Sequence, residues 1–142
     1  MRSIGWLSIT WLLVVASPLA QGPQPQPVGT MGQLMMSMVY PAANDILLSI
    51  HRGGPKDDKE WAALERSAVL LGEAGNVLMM PGHAMGQGDW MTHARVLVDA
   101  GATVSKAARA KEVQALAAVS EPLNDSCTTC HKQYRPNVFP QP

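Results

Sequence analysis

From about residue 30 onward, hydrophobic positions recur every three or four residues, and nowhere do they alternate with polar ones for the length of a strand. Four stretches carry this pattern. The first, TMGQLMMSMVYPAANDILLSI, opens at Thr30, a residue type that suits a helix N-cap, and spaces Met31, Leu34 or Met35, Met38, Ala42, Ile46 and Ile50 at helical intervals. Pro41 falls inside it. A mid-helix proline removes one backbone hydrogen bond and crowds the preceding turn, so a kink near Val39 and Tyr40 is expected rather than two separate helices. HRGGPKD ends the stretch. The second begins at Asp57 with Glu60 three residues on, an aspartate version of the capping box, and aligns Trp61, Leu64, Ala68, Leu71, Gly75 and Leu78.

The third stretch takes Asp89 as its cap and carries Trp90, Ala94, Leu97, Gly101, Val104 and Ala108 on one stripe. The fourth follows a polar turn around Lys111 and places Val113, Leu116, Ser120, Leu123, Cys127, Cys130 or His131, and Tyr134 on one face, with Pro122 as a second internal kink. Four amphipathic helices of about twenty residues with short connections predict an all-α protein, an antiparallel up-down-up-down four-helix bundle.

Ahead of the bundle the pattern changes twice. Residues 1–20 hold one early arginine, Arg2, and then an apolar run from Ile4 to Ala16, the length of a secretory signal peptide and short of the roughly 20 apolar residues a membrane span needs. Small residues at Ala16, Ser17 and Ala20 offer cleavage after Ala16 or after Ala20; an uncleaved anchor is the alternative, and in either case the domain is exported, with the periplasm as its expected place. Residues 21–29, QGPQPQPVG, alternate proline with polar residues and are expected as an extended linker. The helical domain is then 30–135, with a short C-terminal tail at 136–142.

Charge removes some functions. The chain of 142 residues has 11 basic and 11 acidic side chains, scattered rather than blocked, so no basic face announces nucleic acid or an anionic membrane as partner. Its length suits one domain with a real core. No nucleophile and base, and no carboxylate pair, stand out as catalytic, so an enzyme is not expected.

The chemistry lies in SCTTCHKQY, which contains both cysteines of the chain. A disulfide between Cys127 and Cys130 would close a very small loop and constrain the unfolded chain little. A thioredoxin-like redox pair belongs at a helix N-terminus beside strands, whereas this one lies deep in the last helix. A zinc site could draw on Cys127, Cys130 and one of His51, His83 or His93, but His131 follows Cys130 too closely for easy tetrahedral closure with both sulfurs. Covalent haem uses all three residues at once. On a helix, Cys127 and Cys130 stand one turn apart on one side, able to bond the two vinyl groups of a porphyrin edge, and His131 brings an imidazole to the iron. Cys-x-x-Cys-His is the attachment signature of c-type haem.

CTTCHKQYR at the end of a four-helix pattern resembles the class II c-type cytochromes, the cytochrome c′ and cytochrome c-556 family, over roughly residues 30–135. The resemblance implies one haem c packed between the helices, bound through Cys127 and Cys130 with His131 as proximal ligand, and single-electron transfer to redox partner proteins. It also implies a distal residue from the first helix, methionine in the c-556 branch. Met35 is the first choice, because about sixteen residues of helix follow it, as follow the family's distal position; Met31 and Met38 are the second and third. A filled sixth position favours electron transfer, and an open one makes a gas-binding haem protein for NO or CO. A haem-free helical module stabilised by zinc or a disulfide is the alternative of another kind. Many cytochromes c′ carry a basic residue one turn before the distal position to meet a haem propionate; Met31 stands there, which leaves Arg135, Lys132 or Arg95 for that task. A homodimer through the outer faces of the first two helices would fit the family.

Among the other polar residues, His51 and His83 fall in or beside loops and His93 falls off the apolar stripe, so all three are expected in solvent. Trp61 and Trp90 begin inner stripes, with Trp90 a candidate to touch the porphyrin. Methionine thioethers in NVLMMPGHAM suit copper, but chain order, with Pro81 and Gly82 intervening, reads as a plain loop.

Overall fold

A computed structural model describes residues 24–137. The signal peptide expected at 1–20 lies outside the described residues, as does most of the tail. Residues 24–30 precede the helices without regular structure. The described chain then runs through α1 (Met31–Leu34), a π-helical turn (Met35–Val39), α2 (Tyr40–His51), α3 (Asp58–Leu78), α4 (Asp89–Ala110) and α5 (Val113–Tyr134). α1, the π turn and α2 are one continuous rod, so four rods pack together and no strand occurs among the described residues.

The first rod starts where its chemistry dictates. The Thr30 hydroxyl accepts from the Gln33 N–H at 3.2 Å and the Gln33 side chain accepts from the Thr30 N–H at 2.8 Å, a reciprocal cap that satisfies two otherwise orphaned donors. The disturbance expected near Val39 and Tyr40 takes the form of a widened turn just before Pro41. The missing N–H and the bulk of its ring are accommodated just upstream, where the turn from Met35 to Val39 widens and the Tyr40 N–H reaches back five residues to the Met35 carbonyl. The wider turn shifts the buried face, so Val39 and Ala43 join Leu34, Ala42 and Ile46 in the core.

α3 is capped by the Asp57 carboxylate, which accepts from the Glu60 N–H at 2.8 Å. Glu60 reciprocates one residue earlier than a capping box would, accepting from the Lys56 N–H at 2.8 Å. α4 departs from expectation at its start: Gly88 is the N-cap, and Asp89 is already the first helical residue, where its carboxylate still complements the helix dipole. α4 ends at Lys111, whose left-handed backbone (φ 55°) makes the turn into α5. Pro122 stays inside α5, which runs on as one helix to Tyr134.

Cross-helix contacts fix the directions. On α3 and α4, Ala68 and Gly72 meet Gly101 while Gly75 meets Ala94 and Val98, so the two run antiparallel. A Cβ on Gly101 would stand 2.6 Å from the Ala68 carbonyl oxygen, and one on Gly75 would stand 2.8 Å from the Ala94 carbonyl oxygen, so glycine lets these backbones touch. Ser126 bonds the His93 carbonyl and Gln133 bonds Asp89, which sets α5 antiparallel to α4. Gly54, just past α2, packs on Val113 at the start of α5, while Met35 faces the end of α5, so the ring of four closes. The core is Ile46, Leu71, Val104, Leu116 and Leu123 with smaller residues around them, and no helix among those described is long and apolar enough to cross a membrane.

Candidate functional site

Near the C-terminal end of α5, one helical face carries Ser126, Cys127, Cys130, His131 and Tyr134. Ser126 is buried and its hydroxyl donates to the His93 carbonyl oxygen at 3.3 Å, seating α5 on α4 one residue before the first cysteine. Cys127, Cys130 and His131 are half-buried and open together into a narrow crevice between the helices. Its walls are apolar: Val39 from the first rod, Leu78 from α3, and Trp90, Ala94 and Leu97 from α4. Met35 faces into the same crevice.

Trp90 closes the crevice by α4. Its indole N–H donates to the Leu78 carbonyl oxygen at 2.7 Å, which serves one of the carbonyls left unpaired at the end of α3, and its ring meets the ring of Tyr134 edge to face. A flat, dry wall is thereby held rigidly beside the two sulfurs.

The electrostatics follow from burial. Burial pushes both thiols up, Cys130 to about 11, where a negative charge on Cys127 would oppose a second beside it. Both stand as free thiols. Burial, and then the nearby Arg135 cation, lower the His131 imidazole from its ordinary value, which favours its neutral form.

Of the four methionines on the first rod, Met35 lines this crevice. Met31 packs at the edge of the core, Met38 faces a separate groove, and Met36 is 68 % exposed. Met35 is also the first residue of the π turn, and its carbonyl is the acceptor that defines the widened loop. Arg135 stands close enough to His131 to act on its imidazole, whereas Arg95 and Lys132 are exposed side chains on α4 and α5.

Two histidines are not where the pattern suggests. His93, expected in solvent, is half-buried and lines the crevice beside the cysteines. It sits three residues after Trp90 and one before Ala94, so a stripe drawn one residue wider includes it. His83, also expected in solvent, is only 8 % exposed. His51 is exposed. Among the described residues no group of three His, Cys, Asp or Glu side chains is placed to hold a metal ion, so a zinc site of the ordinary kind lacks its donor set there.

An iron porphyrin suits what is present. Two thiols one turn apart, an adjacent neutral imidazole, a thioether on the facing helix and aromatic and aliphatic walls are the donors and surroundings it needs. A scan against protein-family models, a search of curated proteins and a search of solved structures each find no match to this chain.

Proposed function

We propose that this chain is an exported mono-haem cytochrome of the class II c type that carries single electrons between partner proteins. The observation that supports it best is the meeting of Cys127, Cys130, His131 and Met35 in one apolar crevice. Haem c supplies a reversible one-electron iron couple, and everything else follows from the residues around it.

Cys127 and Cys130 serve as tethers, their sulfurs spaced along one helix face to form two thioethers. His131 would supply a neutral imidazole ligand to the iron. Met35, lining the same crevice, would supply a soft thioether ligand, and such a ligand favours the reduced state of an iron centre. Trp90 and Leu97 keep water away, and a dry shell raises the cost of the extra charge of oxidised iron. Arg135, beside His131, is the nearest candidate to pair with a propionate.

Exposed apolar side chains give the proposed homodimer a face: Met36 and Tyr40 on the first rod, at 68 % and 61 %, and Val69 on α3. Export rests on residues 1–20.

The deciding experiment is the spectrum of protein produced with a haem-maturation system. A pyridine haemochrome that survives acid-acetone extraction, with a low-spin reduced spectrum unchanged by CO, is the expected result. Loss of the chromophore on extraction removes the cytochrome proposal, and a high-spin spectrum that shifts with CO moves the function to gas binding.

A further inference from the structure

A second groove lies between the linker, the π turn and the loop joining α3 to α4. Pro27, Val28, Met38, Val77, Met80 and His83 line it, and it shares no residue with the cysteine crevice. We propose that this groove binds a soft monovalent metal ion, Cu(I), through the thioether sulfurs of Met38 and Met80 and a ring nitrogen of His83.

The loop is shaped to present two of these donors. The Met80 carbonyl accepts from the N–H of His83 at 3.1 Å and of Ala84 at 3.0 Å, closing a tight turn that brings residues 80 and 83 to the same groove. Gly82 within that turn has φ 88°, and a Cβ there would stand 2.5 Å from Cγ of Pro27. Only glycine allows both the left-handed backbone and the close seat of the linker proline. The linker therefore forms a wall, and the groove is more than a gap between helices.

His83 is the second observation. It is 8 % exposed, and among the described residues no hydrogen bond reaches its ring. Among these residues, too, no side-chain polar atom is sealed from solvent without a partner, so an imidazole nitrogen opens onto the groove. An accessible imidazole nitrogen that makes no hydrogen bond to the protein can take a metal ion.

Donor softness selects the ion. Thioether sulfur and imidazole suit Cu(I), and the lining holds no carboxylate of the sort that calcium or magnesium needs. The loop alone would not suffice: Met79 packs against the core and Met85 is 57 % exposed, which matches the plain-loop reading of NVLMMPGHAM. The third donor comes from outside the loop: Met38, 42 positions away from Met80 in the chain, lines the same groove.

The test uses the full chain with Cys127 and Cys130 carboxamidomethylated or already carrying haem, so that no free thiol competes and the result does not depend on the cytochrome proposal. Cu(I) is titrated without oxygen against a chromophoric chelator, and methyl-labelled methionines are followed by NMR. One equivalent should bind, and the methyl signals of Met38 and Met80 should shift while those of Met31, Met36 and Met85 stay in place. Met38→Leu, Met80→Leu and His83→Gln should each weaken binding at least tenfold, with Met85→Leu unchanged. Failure to take up one equivalent, shifts confined to other methionines, or wild-type affinity in all three variants would overturn the site. Because the NMR map is made on the unsubstituted chain, it decides the matter even where a variant folds poorly.

Discussion

The rings of Trp90 and Tyr134 meet edge to face, their centroids 5.0 Å apart and their planes at 89°. Trp90 starts α4 and Tyr134 ends α5, one turn beyond His131. Together with the bond from Gln133 to Asp89 at 3.2 Å, the ring pair clamps the helix end that carries Cys127, Cys130 and His131. Trp90→Phe keeps a ring but removes the indole N–H from the Leu78 carbonyl, at an expected cost of about 1–3 kcal/mol. In a double-mutant cycle of Trp90→Ala with Tyr134→Ala, which removes both rings, the coupling read by urea unfolding should be about 0.5–1.5 kcal/mol. Strict additivity would show that the two rings do not share energy.

Met35 should differ from its neighbours. In haem-loaded protein, Met35→Leu is expected to convert a low-spin spectrum to a high-spin one that responds to CO, while Met31→Leu and Met38→Leu keep the original. A change in the Met31 variant alone would assign the distal role there. Should none of the three alter the spectrum, His93 is the next residue to replace, because it lines the same crevice.

Backbone contact between α3 and α4 leaves no room for a methyl group at Gly101, where a Cβ would sit 2.6 Å from two backbone atoms. Gly101→Ala should cost about 1–3 kcal/mol, because main chain rather than a flexible side chain must give way. Gly32→Ala is the opposite case. Its nearest outside neighbour is the Thr30 hydroxyl at 4.0 Å, and alanine loses less freedom on joining a helix, so stability should rise by about 0.5–1 kcal/mol. Chemical denaturation of both variants checks the pair.

Stability of the chain with free thiols should fall at both ends of the pH scale. The folded state holds the Cys130 proton up to about 11 against an ordinary 9.0, so between those values unfolding releases a proton and stability declines as pH rises. The folded His131 resists protonation that the unfolded chain accepts near 6.5, so stability also declines as pH drops below that value. Urea midpoints measured from pH 5 to 11 should therefore be highest between roughly 6.5 and 9. Iodoacetamide should modify Cys130 slowly at pH 8, and faster as pH approaches its raised value.

Much of the bundle was readable from periodicity alone. Every residue of the stripes expected for α3 and α4 is buried, Thr30 caps the first rod, and Asp57 caps the second. These features depend on local spacing and local hydrogen bonding. The misses depend on placement in three dimensions. His93 borders a stripe and turns half-buried because α5 packs over it; His83 is buried because the linker folds back onto Gly82. Pro41 signalled a disturbance in the helix, but whether the chain bends or widens is decided by the neighbours that must still be packed. Asp89 has the chemistry of a cap, and Gly88 occupies the position instead, which spacing could not distinguish.

The π turn has a further consequence for how the first rod could change over generations. Because Met35–Val39 holds one more residue than an ordinary turn, the segment before it and the segment after it are phased independently. Deleting any one residue inside it would leave α2 undisturbed and swing everything upstream by about 100° around the rod. A single codon lost there would withdraw Met35 from the crevice and Leu34 from the core in one step, so the widened turn holds the lining of the crevice and the packing of the rod to a single register.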